Sequence, residues 1–254
     1  MATFQDDFAS ASGTATDSAP TAISGWTAQF ASGSTGFQSA TIQTASGTVS
    51  GNVMRLADTG WGAAMMIRPT TIGNVSANTA TEVLIGWRTS TGVTSSTAVT
   101  FGPGQLRTNT ANINQHYTVG SRVAAGVETQ QLWYNNAGSE WVSIGATKTV
   151  TTDYTPGDWW WTRLQVDGSG NWLWRTWADG GSEPGTWQNA SAADTTVTGG
   201  YAGFGLFSTA FVIDVQWFSL GTGADSAPSP SGGGGSTELP PFTMPPMMSA
   251  GWRR

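Results

Sequence analysis

Residues 159–187 read WWWTRLQVDGSGNWLWRTWADGGSEPGTW, and seven of the 14 tryptophans fall in these 29 residues. Tryptophan stacks on the apolar face of a pyranose ring, and arginine donates to its hydroxyls. Both types on one surface can therefore hold a glycan. Alternation sorts them. Trp160, Leu164 and Val166 fall on one face of the first run, and Trp159, Trp161, Arg163 and Gln165 on the other. In the return run Trp172, Trp174 and Thr176 alternate with Leu173, Arg175 and Trp177. Asp167-Gly168-Ser169-Gly170 between them is a hairpin turn signal. A strand needs one apolar face to join a core, yet this hairpin carries aromatics and arginines on its second face as well. Trp159, Trp161, Arg163, Arg175 and Trp177 are the candidate glycan-binding set. The alternatives for that face are core beneath a second sheet and a subunit interface.

Acid–base and nucleophilic chemistry finds little support. His116 is the sole histidine, cysteine is absent, and no Gly-x-Ser-x-Gly elbow occurs. Glu82, Glu128 and Glu140 each lack a second carboxylate two residues away. Asp6/Asp7, Asp153/Asp158 and Asp179/Glu183 sit at strand starts or in loops, where turn capping explains them. No catalytic residue is assigned, and the chain reads as a non-enzyme. Gly232–Thr237 lacks the lysine of a phosphate loop. One lysine and scattered arginines give no nucleic-acid footprint. No window approaches the ~20 apolar residues of a membrane helix. Neither nucleic acid nor membrane is therefore an expected partner.

These side chains must be positioned by strands. Short alternating or β-branched runs recur between Gly/Ser/Asn/Asp clusters, and no window sustains helical spacing. The runs are 3–8, 37–43, 53–56, 63–69, 82–88, 93–101, 105–110, 116–119, 126–134, 141–144, 159–166, 171–177, 201–207 and 211–220. They predict an all-β fold, an antiparallel two-sheet sandwich of jelly-roll type. Phe4 and Phe8 suit closure against Val212, Val215 and Trp217. Only 10% of residues are charged, against about 25% in an average globular protein, so solubility rests on hydroxyls, amides and a net charge of −6.

Composition changes near residue 221. The reading divides the chain into a sandwich over 1–220, a Pro/Ser- then Gly-rich linker over 221–238, and an apolar segment over 239–254. That last segment, LPPFTMPPMMSAGWRR, carries Leu239, Phe242, Met244, Met247, Met248 and Trp252, more apolar residues than a free tail normally keeps. Prolines hold it extended, so it reads as a tethered peptide that docks on an assembly.

Trp161, Arg163, Val166, Gly168, Trp177, Glu183, Pro184, Trp187, Gly200, Tyr201 and Gly203 follow the order W-x-R-x-x-V-x-G, Trp-ended strand, E-P-x-x-W, G-Y-x-G. In this the chain resembles the C-terminal half of concanavalin A-like lectin/glucanase (LamG-like) jelly rolls. Phe4–Phe8 and Gly25-Trp26 fit their first strand, whereas 68–153 fits poorly. The resemblance implies the fold and leaves function open, since that fold hosts lectins, hydrolases and structural modules. Laminarinase-type members carry E-x-D-x-x-E on one strand, and this chain has no E-x-D. Such sandwiches often staple their terminal strands with calcium, and Asp6, Asp7 and Asp214 are where a staple would sit. Exposed strand-edge carboxylates are the alternative, so no cofactor is expected beyond a possible Ca²⁺.

The first eight residues have neither a basic nor an apolar leader region. The resulting expectation is a non-enzymatic structural or adhesion component of a tailed-phage virion, a capsid decoration or minor tail protein. It would be made in the host cytoplasm, bound to capsid or tail subunits in multiple copies or as a homo-oligomer, and able to meet a cell-surface glycan. The alternative is an extracellular, secreted carbohydrate-binding module; a glycoside hydrolase ranks below both.

Overall fold

The computed structural model describes residues 3–16, 18–30, 38–58, 64–89, 99–113, 115–124, 127–135, 141–150, 157–189, 193–207, 212–223 and 225–230. Among these there are strands and no helix. In chain order they are β1 (Thr3–Asp6), β2 (Thr14–Thr16), β3 (Trp26–Phe30), β4 (Gln38–Thr44), β5 (Asn52–Asp58), β6 (Ala64–Pro69), β7 (Thr81–Thr89) and β8 (Val99–Thr108). Then follow β9 (His116–Ala124), β10 (Val127–Asn135), β11 (Trp141–Val150), β12 (Trp160–Val166), β13 (Trp172–Ala178), β14 (Gln188–Asn189), β15 (Tyr201–Phe207) and β16 (Val212–Thr222).

They form two antiparallel sheets. One runs β14-β13-β12-β7-β16-β5-β4-β2, with β1 also on β16; the other runs β11-β10-β9-β8-β15-β6-β3. The terminal strands meet as expected, Phe4 opposite Leu220 and Asp6 opposite Phe218. The expected runs 93–101 and 105–110 contribute to one strand, β8. Its register on β9 shifts between Phe101 and Gly104, a bulge that absorbs Pro103, which has no amide hydrogen for a ladder.

The strand alternation at 159–177 resolves into two clusters on opposite faces of the first sheet. Trp160, Leu164, Val166, Trp172 and Trp174 enter the main core between the sheets, with Trp87, Ile85, Phe204 and Phe218. Trp161 and Trp177 join Leu84, Trp217 and Ala227 in a smaller cluster on the outer face. Trp217 stands opposite Gly86, Gly86 opposite Trp161, and Trp161 opposite Trp177, so the three indoles share one transverse row. Gly86 makes room in it: a Cβ there would lie 2.9 Å from the Trp161 ring.

The sandwich does not end at residue 220. β16 continues to Thr222, Gly223 donates to the Ala80 carbonyl at 2.8 Å, and residues 225–230 fold back over the outer face. Ala227 is 2% exposed there, and Ser219 Oγ donates to the Pro228 carbonyl at 2.6 Å. The first part of the expected linker is thus a packed strap, held by the burial of Ala227 and by hydrogen bonds from Arg163 and Ser219 and to Glu82 that glycine and serine composition alone does not reveal. Residues 231–254, with the apolar set Leu239, Phe242, Met244, Met247, Met248 and Trp252, lie outside the described residues.

His116, at the start of β9, is fully buried, and its Nδ1–H donates to the Ile113 carbonyl at 2.9 Å. Burial lowers its pKa from 6.5 to about 3. The unfolded chain therefore binds a proton between pH 6.5 and 3 that the folded chain refuses. Stability is full above that window and falls with pH through it, by about 1.4 kcal/mol per unit for one group. Urea unfolding between roughly pH 7 and 5, above most carboxylate titrations, should show this slope. His116→Gln should flatten it, and an unchanged slope in the variant would contradict the assignment.

Candidate functional site

The hairpin register brings the predicted outer-face residues together, Trp161 opposite Trp177 and Arg163 opposite Arg175. It also shows what lies over them. Trp161, Arg163 and Trp177 are 2%, 5% and 8% exposed. Trp161 Nε1 donates to Asp179 Oδ1 at 2.6 Å. Arg163 pairs with Glu82 and donates from Nε to Glu183 Oε1 at 2.7 Å. Its Nη1 also reaches the Ala227 carbonyl at 2.9 Å, and Nη2 reaches Ser229 Oγ at 3.3 Å. Glu82 accepts a further bond from the Ala227 amide at 3.0 Å. Arg175 pairs with Glu183, bonds the Pro184 carbonyl at 2.7 Å and lies 4.0 Å over the Trp187 ring. Burial lowers its pKa, with Glu183 opposing and Arg163 reinforcing the shift. Such a network is stable only because each buried charge meets its counter-charge. Most of its polar groups are spent within the chain, Arg175 Nε and Trp177 Nε1 excepted, and the stacking faces of Trp161 and Trp177 are covered. Trp159, half-buried under Arg88 at 4.6 Å, and Arg175 keep partial exposure.

The structure does not bring Asp6, Asp7 and Asp214 to one point. Asp6 accepts from the Phe8 amide at 2.7 Å and Trp26 Nε1 at 2.9 Å, and Asp7 caps the Ala9 amide at 3.0 Å. Asp214 is fully buried on the outer face, held by Arg55 Nε at 2.7 Å and Arg88 Nε at 3.0 Å. Its hydrogen bond raises the Arg55 pKa, against the effect of burial. A calcium ion would have to displace two guanidiniums. Hydrogen bonds and ion pairs therefore do the work expected of the staple. Among the described residues no group of three or more His, Asp or Glu is placed to hold a metal.

A concavity among the described residues lies where β8 and β10 end and β9 and β15 begin. It is an open cleft of about 370 Å³ lined by Asn74, Asn109, Thr110, Gln115, Tyr134 and the run 196–200. Four separate segments build it. The β8–β9 turn is braced by Asn109 Nδ2 donating to Gln115 Oε1, while Asn109 Oδ1 accepts from Ala111 N at 2.9 Å. The opposite wall is an isolated bridge, with Val75 N to Gly200 O at 2.8 Å and the reverse bond at 3.0 Å. Only glycine fits at 200: φ is +138° and a Cβ would lie 2.1 Å from the Thr108 carbonyl oxygen.

Asp194 fixes the wall from behind. Its carboxylate accepts from the Tyr117 hydroxyl and from Thr196 N at 2.9 Å, and its carbonyl accepts from Trp172 Nε1 at 3.2 Å. Tyr117 stacks on Trp172 at 4.2 Å and lies 4.9 Å from Tyr134. The cleft thus rests on core aromatics. Burial and the Asp194 charge raise the Tyr134 pKa, so its phenol stays neutral. The sequence reading missed these residues. Gly200 stood out only as part of the G-Y-x-G pattern, and nothing local to Asn74, Asn109 or Thr196 signals that folding brings them together.

Among the described residues no helix is long and apolar enough to cross a membrane. No family model matches the chain, and no curated protein matches it. Solved structures match at the level of fold. A protein of unknown function from Shewanella oneidensis MR-1 is 12% identical, with a TM-score of 0.52 over 84% of this chain and 87% of that one. Lectin I-B4 from Griffonia simplicifolia, in metal-free form, is 10% identical, with a TM-score of 0.47 over 77% and 92%. A carbohydrate esterase from the Shiga toxin-encoding bacteriophage phi24B is 10% identical, with a TM-score of 0.43 over 79% and 91%. These matches agree with an antiparallel two-sheet β-sandwich and show the fold alone.

Proposed function

We propose that this sandwich is a non-enzymatic glycan-binding module, borne as an adhesion component on a larger assembly. The observation that carries the reading is the pinned cleft of amides, hydroxyls and one tyrosine. Amides and hydroxyls both donate and accept, which suits sugar hydroxyls, and a tyrosine adds apolar contact. Among the described residues no carboxylate, histidine or arginine lines that cleft. The carboxylates of Glu82, Glu183 and Asp214 are committed to arginines and that of Asp194 to Tyr117, so none stands across the cleft for acid–base work.

The assembly that composition favours is a tailed-phage particle, with the sandwich on the capsid or tail. Low charge, no cysteine, and a Gly-rich tether followed by six large apolar residues between Leu239 and Trp252 support that reading. On a glycan array the full chain should give hits without releasing sugar. Asn74→Ala should weaken them about tenfold, the scale of one or two lost hydrogen bonds. Turnover of a glycan by the purified chain, or an array without hits, would overturn the reading.

A further inference from the structure

We infer that the cleft takes the neutral end of a saccharide, about one or two rings, and turns away sugars bearing a carboxylate, sulfate or phosphate. This rests on the glycan-binding reading above and adds the ligand class to it. The first support is the lining: asparagine, glutamine, threonine, tyrosine, valine and glycine, with no side chain that could neutralise an acidic sugar. Acidic ligands are normally met by arginine or lysine, whose charge-assisted bonds are the strong ones.

The second support is the charge behind the wall. The Asp194 carboxylate accepts directly from the Thr196 amide of the wall, and its field reaches the Tyr134 phenol. Arg107 is 4% exposed, lies 5.5 Å from the Trp172 ring centroid and donates to the Asp167 carbonyl at 2.9 Å, while Arg68 donates to the Ile72 carbonyl at 3.2 Å and lies 4.1 Å over the Tyr201 ring. Burial lowers the Arg107 pKa, and the charges of Asp167 and Asp194 oppose the shift. Neither guanidinium is among the residues lining the cleft, whereas the Asp194 carboxylate is bonded directly to its wall at Thr196. An anionic sugar would enter against that carboxylate, whereas a neutral one does not sense it.

The third support is size and rigidity. A volume of about 370 Å³ stands at the small end of the roughly 300–1,000 Å³ usual for ligand pockets, room for a chain end and not a long oligosaccharide. The Val75–Gly200 bridge and the bond from Asn78 N to Thr198 O at 2.9 Å fix one wall before any ligand arrives.

The test uses the full chain, an array carrying neutral and acidic glycans, and titration followed on the Tyr134 ring resonance. Four tyrosines make that assignment tractable. Neutral termini should shift Tyr134, with affinity nearly constant from about 20 to 500 mM salt, because no ion pair is screened. Sialylated or uronic acid termini should bind at least about tenfold more weakly. Thr110→Lys, at an exposed rim position, should narrow that gap by making an ion pair available. Acidic termini binding as tightly as neutral ones would overturn the ligand class and leave glycan binding standing. Hits that leave Tyr134 unmoved would overturn the site. No glycan bound at all would defeat the reading on which the class rests.

Discussion

Arg163→Ala should destabilise the sandwich by about 3–5 kcal/mol, the cost of stranding buried counter-charges. The loss exceeds one ion pair because Arg163 serves Glu82, Glu183, the Ala227 carbonyl and Ser229 together. Removing it leaves Glu82, itself 5% exposed, with the Ala227 amide still donating to it. The strap loses two contacts and the 179–187 loop loses half its clamp. Urea unfolding monitored by tryptophan fluorescence measures the loss. The double variant Arg163→Met with Glu82→Leu separates charge from volume. It should recover much of the stability, because an apolar pair of similar size removes the desolvation penalty that an unpaired glutamate meets. A single variant within about 1 kcal/mol of the parent would mean that water, and not Arg163, satisfies Glu82.

Gly200→Ala should cost about 3 kcal/mol or more, lowering the melting temperature by roughly 6–12 °C for a domain of this length. Two causes add. The backbone at φ +138° disfavours any side chain, and the new methyl would meet the Thr108 carbonyl at 2.1 Å. The chain must break the Val75 bridge or push β8 outward, and either movement deforms the cleft wall. Gly73→Ala in the neighbouring connection is the control: its Cβ would meet nothing within 4 Å, so it should stay within about 0.5 kcal/mol. Equal melting temperatures for the two variants would contradict the geometry described for the bridge.

Much of the fold was legible because alternation reports burial directly. Both faces of the 159–177 hairpin could be written down from the residues, and β12 and β13 pair in that register. β2 and β3 escaped notice because three and five residues, TAT and WTAQF, are too short to establish a period. What alternation does not report is what lies over the outer face. An indole on a sugar platform and an indole under a strap have the same period, and here the strap's Ala227, in one cluster with Trp161, distinguishes them. The cleft was illegible for a related reason. Asn74, Asn109, Tyr134 and Thr196 lie on segments far apart in the chain, and their meeting depends on the stacking of two sheets. The Asp214 carboxylate was correctly placed on β16, but its partners Arg55 and Arg88 come from strands on either side.

The strap also decides how the molecule bears tension. β16 reaches Gly221 and Thr222 beside the start of β7, next to the connection that carries Asn74. From there residues 225–230 turn back toward Ser219 and Arg163, away from the cleft. A tug on the chain beyond Pro230 therefore enters the sheet's outer face as shear on the strap, along the strands. The load passes to Ser219 and Arg163 and spreads through β16 into β7 and β1. Antiparallel ladders loaded along their length resist together, bond beside bond, and do not peel one at a time. The cleft walls formed by Asn109, Thr110, Gln115 and residues 196–200 lie off this load path, whereas Asn74 lies beside it. A pull on the strap thus enters through the outer face of one sheet, while the walls at 109–110, 115 and 196–200 belong to other segments.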